Sequence, residues 1–537
     1  MPTKDRATNA PTETQMPSQT HRTSPDPTLK TMPKGVPFII GNELAERFSF
    51  YGMKAILVVF MTEHLFNSAG EPDFMSDTEA KKYYHLFTAA AYFFPLIGAL
   101  ISDILWGKYK TILLISLMYC LGHGSLALMD VGPALGLWDM KPFLFAGLIL
   151  IAMGAGGIKP CVSAHVGDQF GTGNKRLLTQ IFNWFYFSIN LGASASTLLT
   201  PVLLAKVGPW AAFGLPGALM AIATFVFWLG RHRFVHVPPA GKAFFKETFS
   251  PEGKRALICL APLFLIFVPV FWAIFDQTGS AWILQARSMD REFMGILWLK
   301  SQVQAVNPIL ILTLIPIFTY LVYPFAGKFV KTTPLRKIGA GLFLTAAAFA
   351  ISALLEQAII DRAPEAATAL WAALNAAGIE GSGTLQAALE AANIAGWEQE
   401  QVQPFLKDMP NIGWQFLAYF VLTSAEILVS IVCLEFAYTQ SPPKMKSFIM
   451  GVFFLGVSLG NLFTAFVNWI IELLEKDGGS SALEGAAYYW FFTSIMLAAA
   501  VVYVFYAKFL YRGQTFIQGE TPELAAAEAK AEGPDAH

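Results

Sequence analysis

Glu43, Glu46, Arg47 and Lys54 stand within Gly41-Asn42-Glu43-Leu44-Ala45-Glu46-Arg47-Phe48-Ser49-Phe50-Tyr51-Gly52-Met53-Lys54, which runs on into Ala55-Ile56-Leu57-Val58-Val59-Phe60. Two carboxylates and two cations are thus embedded in a stretch that otherwise reads as membrane helix. An ionisable group in hydrocarbon costs several kcal/mol, so such groups are rare, face a bundle interior and mark the routes of ions or solutes. Glu43 and Arg47 are four residues apart, as are Arg47 and Tyr51, and Lys54 lies seven beyond Arg47. On a helix these fall on one stripe, with Glu46 and Phe50 beside it. A one-sided polar stripe in an apolar helix lines an aqueous cavity, where carboxylates can take up protons and cations can hold anionic groups.

Further polar residues interrupt later apolar runs. Lys159 follows Gly154-Ala155-Gly156-Gly157-Ile158. Those small residues suit close helix packing; a nucleotide loop lacks both its second half and a preceding strand. A buried lysine needs a carboxylate partner or an anionic ligand. Asn190 sits in Phe185-Tyr186-Phe187-Ser188-Ile189-Asn190, Asp276 in Phe271-Trp272-Ala273-Ile274-Phe275-Asp276, Asn307 before Pro308, and Glu426 in Ser424-Ala425-Glu426, with Glu435 nearer the helix end. His85, after Tyr84, opens another apolar run and is a candidate for titration near neutral pH.

The elements that must position these groups follow from composition. Over 537 residues the chain is 55% hydrophobic and 14% charged, with mean hydropathy +0.49. That is a membrane composition. A net charge of −1 offers nothing to nucleic acid. Cys120, Cys161, Cys259 and Cys433 lie singly in apolar runs, which excludes a disulfide framework and a metal site. Requiring about 20 apolar residues per span predicts an all-α integral membrane protein with twelve transmembrane helices, at 37–65, 83–106, 111–129, 142–166, 179–205, 210–230, 257–285, 303–330, 338–361, 411–439, 447–474 and 486–510. With both termini cytoplasmic, the inner segments hold 24 Lys and Arg and the outer loops 10, as the positive-inside rule requires.

The basic linker 231–256 divides the spans into an N-terminal bundle, 36–230, and a C-terminal bundle, 257–512. The Ala/Glu-rich segment 362–410 reads as an outside-facing insertion of short amphipathic helices, and the tails 1–35 and 513–537 read as disordered. Gly98-Ala99-Leu100-Ile101-Ser102-Asp103, followed by Lys108 and Lys110, resembles the loop motif of major facilitators, with Asp103 as an interhelical latch. The lack of a leader segment or organelle motif, with a short N-terminal tail, is expected of a multi-pass protein of a bacterial inner membrane.

Four motifs in order then resemble one family. Glu43-x-x-Glu46-Arg47-Phe48-x-Phe50-Tyr51-Gly52, Phe185-Tyr186-x-x-Ile189-Asn190-x-Gly192, Phe271-Trp272-Ala273-x-Phe275-Asp276-Gln277-x-Gly279-Ser280 and Tyr84-His85 are similar to signatures of the proton-dependent oligopeptide transporters, the POT or PTR2 family of the major facilitator superfamily. The resemblance spans about 36–512 and implies two six-helix bundles rocking about a central cavity. It implies proton coupling at Glu43, Glu46 and Arg47, with Asp276 and His85 contributing. A peptide carboxylate would meet Lys54 and Lys159, its amino group Asn190, Asn307 and Glu426, and its backbone or side chains Tyr51 and Tyr92. Lys54–Asp276 would be an outer gate pair and Lys159–Glu426 an inner one. Phe50, Lys54 and Phe453 depart from residues that relatives carry, which bears on selectivity within the class.

The expected function is proton-coupled import of di- and tripeptides through the lipid bilayer. It is driven by the proton gradient without cofactor or metal, and with no obligate protein partner. Transport of nitrate or another small anion is the alternative; it would need the cations but not Glu426. No HExxH, paired catalytic aspartates or nucleophile–base pattern supports an enzyme.

Overall fold

The structure, a computed structural model, describes residues 21–239, 241, 250–440, 446–476 and 481–511. The N-terminal half consists of α1 (Val36–Glu63), α2 (Asp77–Ile101), α3 (Lys108–Leu128), α4 (Met140–Gly167), α5 (Leu178–Lys206) and α6 (Pro209–Leu229). The C-terminal half begins with a segmented rod: α7 (Pro251–Pro262), a π turn Leu263–Phe267, α8 (Val268–Phe275), a 3-10 turn Asp276–Gly279 and α9 (Ala281–Arg287). A hairpin of β1 (Glu292–Phe293) and β2 (Ile296–Leu297) leads to α10 (Val306–Ile317) and, past a π turn, α11 (Tyr323–Gly327). Then come α12 (Pro334–Ala376), α13 (Leu385–Ile394), α14 (Gln399–Val402), α15 (Gly413–Glu426), a π turn Ile427–Ile431, α16 (Val432–Thr439), α17 (Lys446–Lys476) and α18 (Ala486–Phe505).

Among the described residues eleven helical segments are long and apolar enough to cross a membrane. Helix α1 has 28 residues, about 42 Å at 1.5 Å per residue, which also exceeds the bilayer core. It carries Glu43, Glu46, Arg47, Lys54 and Glu63 and is not among the eleven. One large apolar core lies mainly in each half, with a smaller cluster of Ile311, Leu314, Phe318, Ile427 and Leu428 in the C-terminal half. Across the interface α2 lies along α17, and α5 along α10.

The glycines of α4 act as the small-residue reading expects. A Cβ on Gly98 of α2 would strike the backbone of Gly157, and one on Gly156 would strike Phe94 and the Ala91 carbonyl. Likewise a Cβ on Gly192 would meet the Leu44 carbonyl at 2.7 Å, so this glycine lets α5 press onto the charged turn of α1.

Several boundaries differ from the sequence reading. The ninth span does not end at 361 but continues as one helix to Ala376. Its 43 residues reach about 65 Å: past 361 the run is Ala-rich and free of glycine, and Pro364 does not end the helix. The N-terminal segment expected to be disordered to 35 is ordered from 21. Its His21 ring stacks on His236 at 4.3 Å, the Arg22 carbonyl accepts from His236 N at 2.8 Å, and the Thr31 carbonyl accepts from Asn174. Residues 1–20, 242–249 of the linker and 512–537 lie outside the described residues. In the loop motif that carries Asp103, Lys108 pairs with Asp168 at the end of α4 at 2.6 Å.

Because the α2–α4 crossing leaves no room for a methyl group, Gly98→Ala is expected to destabilise the protein by about 1–3 kcal/mol. Thermal unfolding in detergent should show a lower Tm for Gly98→Ala than for Gly124→Ala, whose added Cβ meets open space.

Candidate functional site

The seventh rod breaks where its carboxylate lies. Helix α8 gives way to the 3-10 turn at Asp276, and Ser280 (φ −133, ψ −87) leaves helical conformation before α9 begins. Asp276 is thereby turned toward α1, and its Oδ1 accepts from Lys54 Nζ at 2.7 Å. Both side chains are over 90% buried. The expected Lys54–Asp276 contact is present.

A buried chain of hydrogen bonds continues from it. Asp276 Oδ2 accepts from Asn461 Nδ2 at 2.7 Å, Asn461 Oδ1 meets His85 Nδ1 at 2.8 Å, and His85 Nε2 meets Ser280 Oγ at 2.9 Å. Asn461 Nδ2 also donates to the Val457 carbonyl, so its oxygen is the atom facing His85. A neutral His85 therefore carries its hydrogen on Nδ1 and accepts the Ser280 hydroxyl at Nε2. His85 and Asn461 are fully buried. The network joins α1, α2, the broken rod and α17, and so crosses between the halves.

Beneath it lies a cavity of about 120 Å³ lined from both halves. Tyr51, Lys54, Tyr92, Asn190, Asn307 and Glu426, all singled out from sequence, lie on its wall with Asp276. Tyr84, Tyr186, Trp272 and Gln304 also line it. On the C-terminal side Asn307 Nδ2 donates to Glu426 Oε2 at 2.7 Å and to Thr423 Oγ1 at 3.1 Å. On the N-terminal side Asn190 turns to the Tyr186 carbonyl at 3.0 Å.

The remaining candidates stand behind this wall. Arg47 Nε lies 2.7 Å from Glu43 Oε1 and 2.8 Å from Glu46 Oε2, but its one N–H is directed at Glu43. Neither Glu46 oxygen has a hydrogen bond, although the residue is fully buried. Lys159 Nζ likewise has no hydrogen-bond partner and lies over the rings of Tyr92 (4.1 Å) and Phe50 (4.2 Å). The expected Lys159–Glu426 pair is not formed, since Glu426 is held by Asn307. The distribution of ion pairs gives the reason. Glu63–Lys300, Asp77–Arg287 and Lys82–Glu472 join the halves at the Glu63 end of α1. Among the described residues no ion pair joins them at the Val36 end. The halves are clamped at the Glu63 end, and in this packing Lys159 and Glu426 do not pair. Glu435 is exposed in α16, and Phe453 is buried against Phe264 rather than on the cavity wall.

Asn461 is the residue that sequence reasoning missed. A signal exists: Ser458, Asn461, Thr464 and Asn468 recur at three or four residues and share one face of α17.

Removing one partner of the central pair leaves a buried charge. Lys54→Met should cost about 3–5 kcal/mol, and Lys54→Met with Asp276→Asn should recover most of it. Tm values of the two variants in detergent test this; equal losses would show that the two side chains act independently.

Comparisons with known proteins agree on one family. The model described as the POT family matches residues 109–250 and 245–491. Peptide transporter family 1 of Drosophila melanogaster is 39% identical over 363 residues, 60% of this chain and 48% of that protein. Peptide transporter 3 of Caenorhabditis elegans is 38% identical over 369 residues, 61% and 51% of the two chains. The chain spans about half the length of these animal relatives. Among solved structures, the POT family transporter PepTSo superposes with TM-score 0.69 at 31% identity, covering 89% of this chain and 98% of that one. An auto-inhibited POT family peptide transporter gives 0.70 at 30% identity, covering 91% and 99%. With a family model matched across most of both halves, this multi-pass membrane protein belongs to the POT family.

Proposed function

We propose that the protein is a proton-coupled symporter that imports di- and tripeptides by alternating access. The observation that carries this reading is the cavity itself. It sets Lys54 on one wall and Glu426 with Asn307 on the other, with tyrosines and Trp272 between. A peptide is a zwitterion with constant ends and variable side chains. Opposed charge poles hold the ends, and aromatic walls accept varied side chains. The relatives named as peptide transporters support the same substrate class.

In this reading the peptide carboxylate competes with Asp276 for Lys54, and Lys159, one ring behind Tyr92, is the second cation. The amino group meets Glu426, Asn307 and Asn190. Glu46, buried beside Arg47 with no hydrogen bond to either oxygen, takes the coupling proton. Its protonation frees Arg47 to Glu43 alone. Asp276 and His85 couple protonation to the outer closure, because a proton there loosens the carboxylate's hold on Lys54. The proton gradient is the only energy source proposed, with no cofactor and no obligate protein partner. The site is a cell membrane; the relatives are animal proteins and lend no support to a bacterial inner membrane in particular.

Uptake of labelled dialanine into proteoliposomes tests this. An inward proton gradient should drive accumulation, and Glu46→Gln should abolish accumulation while sparing peptide exchange. Glu426→Gln should weaken peptide uptake at least tenfold; nitrate transport that Glu426→Gln spares, in a protein that takes up no peptide, would favour the small-anion alternative. No dialanine uptake under any gradient would overturn the proposal.

A further inference from the structure

The segment between α12 and α15 has no part in the mechanism above, yet it touches both halves. Its attachment to the C-terminal half is apolar and deep. Leu385, Ala388, Ala392, Val402 and Leu406 are buried in the same core as Leu370 and Leu374 of α12. Gln399 adds bonds to the Trp298 carbonyl (2.8 Å) and from Arg291 (2.9 Å). Its attachment to the N-terminal half is different in kind. Glu398 accepts from Lys206 at the end of α5 at 2.9 Å, with Glu400 at 3.9 Å. Gln386 donates to Asp77 of α2 at 3.2 Å, and Asn393 to the Glu63 carbonyl of α1 at 3.3 Å. These contacts are polar and lie at the clamped end, above the Glu63–Lys300 and Asp77–Arg287 pairs.

We propose that residues 385–406 are a latch carried by the C-terminal half, which closes over the outer mouth and biases the protein toward its outer-closed state. The asymmetry is the argument. Buried apolar contacts hold the segment permanently to one half. Exposed ion pairs and single hydrogen bonds, each worth little and easily exchanged for water, hold it to the other. Separating the halves at the outer end must break the second set and can leave the first intact. Lys206 and Glu398 are 56% and 65% exposed, so the latch is weak and releasable. It sets how often the mouth opens without preventing it. A mere surface insertion would have no reason to place its bonds on α1, α2 and α5 of the opposite half.

The inference rests on alternating access but not on the identity of the solute, and its test needs no peptide. Spin labels on Leu137→Cys and Ala482→Cys, exposed outer-end positions of the two halves, would be placed in full-length protein with the four native cysteines replaced by alanine. Distance distributions between them report the outer mouth. Lys206→Glu should raise the long-distance population about two- to fivefold, the scale of one exposed ion pair. Combining it with Glu398→Lys and Glu400→Lys should restore the original distribution. An unchanged distribution in Lys206→Glu, or a triple variant as open as the single one, would overturn the latch. A failure of dialanine uptake would overturn the peptide reading and leave these distances untouched.

Discussion

The architecture depends on the cost of burying charge. Lys54 and Asp276 come from opposite halves, are removed from water, and are tolerable only because each neutralises the other at 2.7 Å. Removing either leaves a stranded ion, so the pair ties the two halves together far more tightly than its net stabilisation suggests. Asn461 and His85 extend the same constraint, since each is buried and each uses the next as partner. A buried polar network of this kind holds one arrangement of the helices as long as its charges persist, and yields when one of them is neutralised.

The break in the seventh rod is what makes such a pair possible. A continuous helix would present residue 276 on whatever face its register dictated. The 3-10 turn Asp276–Gly279 and the non-helical Ser280 redirect the backbone at the depth of the cavity. Irregular backbone inside a membrane is tolerable where it is enclosed by protein or lines water, and here α1, α2 and α17 enclose it. On the opposite wall of the same cavity, Glu426 is followed directly by the π turn Ile427–Ile431. Local departures from the α-helix therefore flank both charge poles.

Much of the site was legible because hydrocarbon makes polar residues conspicuous. Lys54, Asp276, Asn307 and Glu426 stand out against apolar neighbours, and all line one cavity. Asn461 escaped because an amide among Leu, Phe and Gly reads as an ordinary interior residue until its partners are known. Lys159 was equally conspicuous, but its pairing with Glu426 is not made in this arrangement of the halves: which carboxylate a buried lysine meets depends on which end of the bundle is closed. The insertion was legible as helical and amphipathic, while its bonds to Asp77, Glu63 and Lys206 were not, since they join residues 192 to 330 positions apart.

The sequence by itself determined the nature and order of the apolar helices, the two-half layout, the charged stripe of α1 and the family signatures. These are local properties, set by helical periodicity and by the transfer cost of each side chain. Only the tertiary structure decided which charges pair, that the seventh rod breaks at its aspartate, and that the Glu63 end of α1 rather than the Val36 end is clamped. Pairing energies depend on distances between segments remote in the chain. Two arrangements of the same helices can satisfy one sequence, and the choice between them lies in how the halves pack.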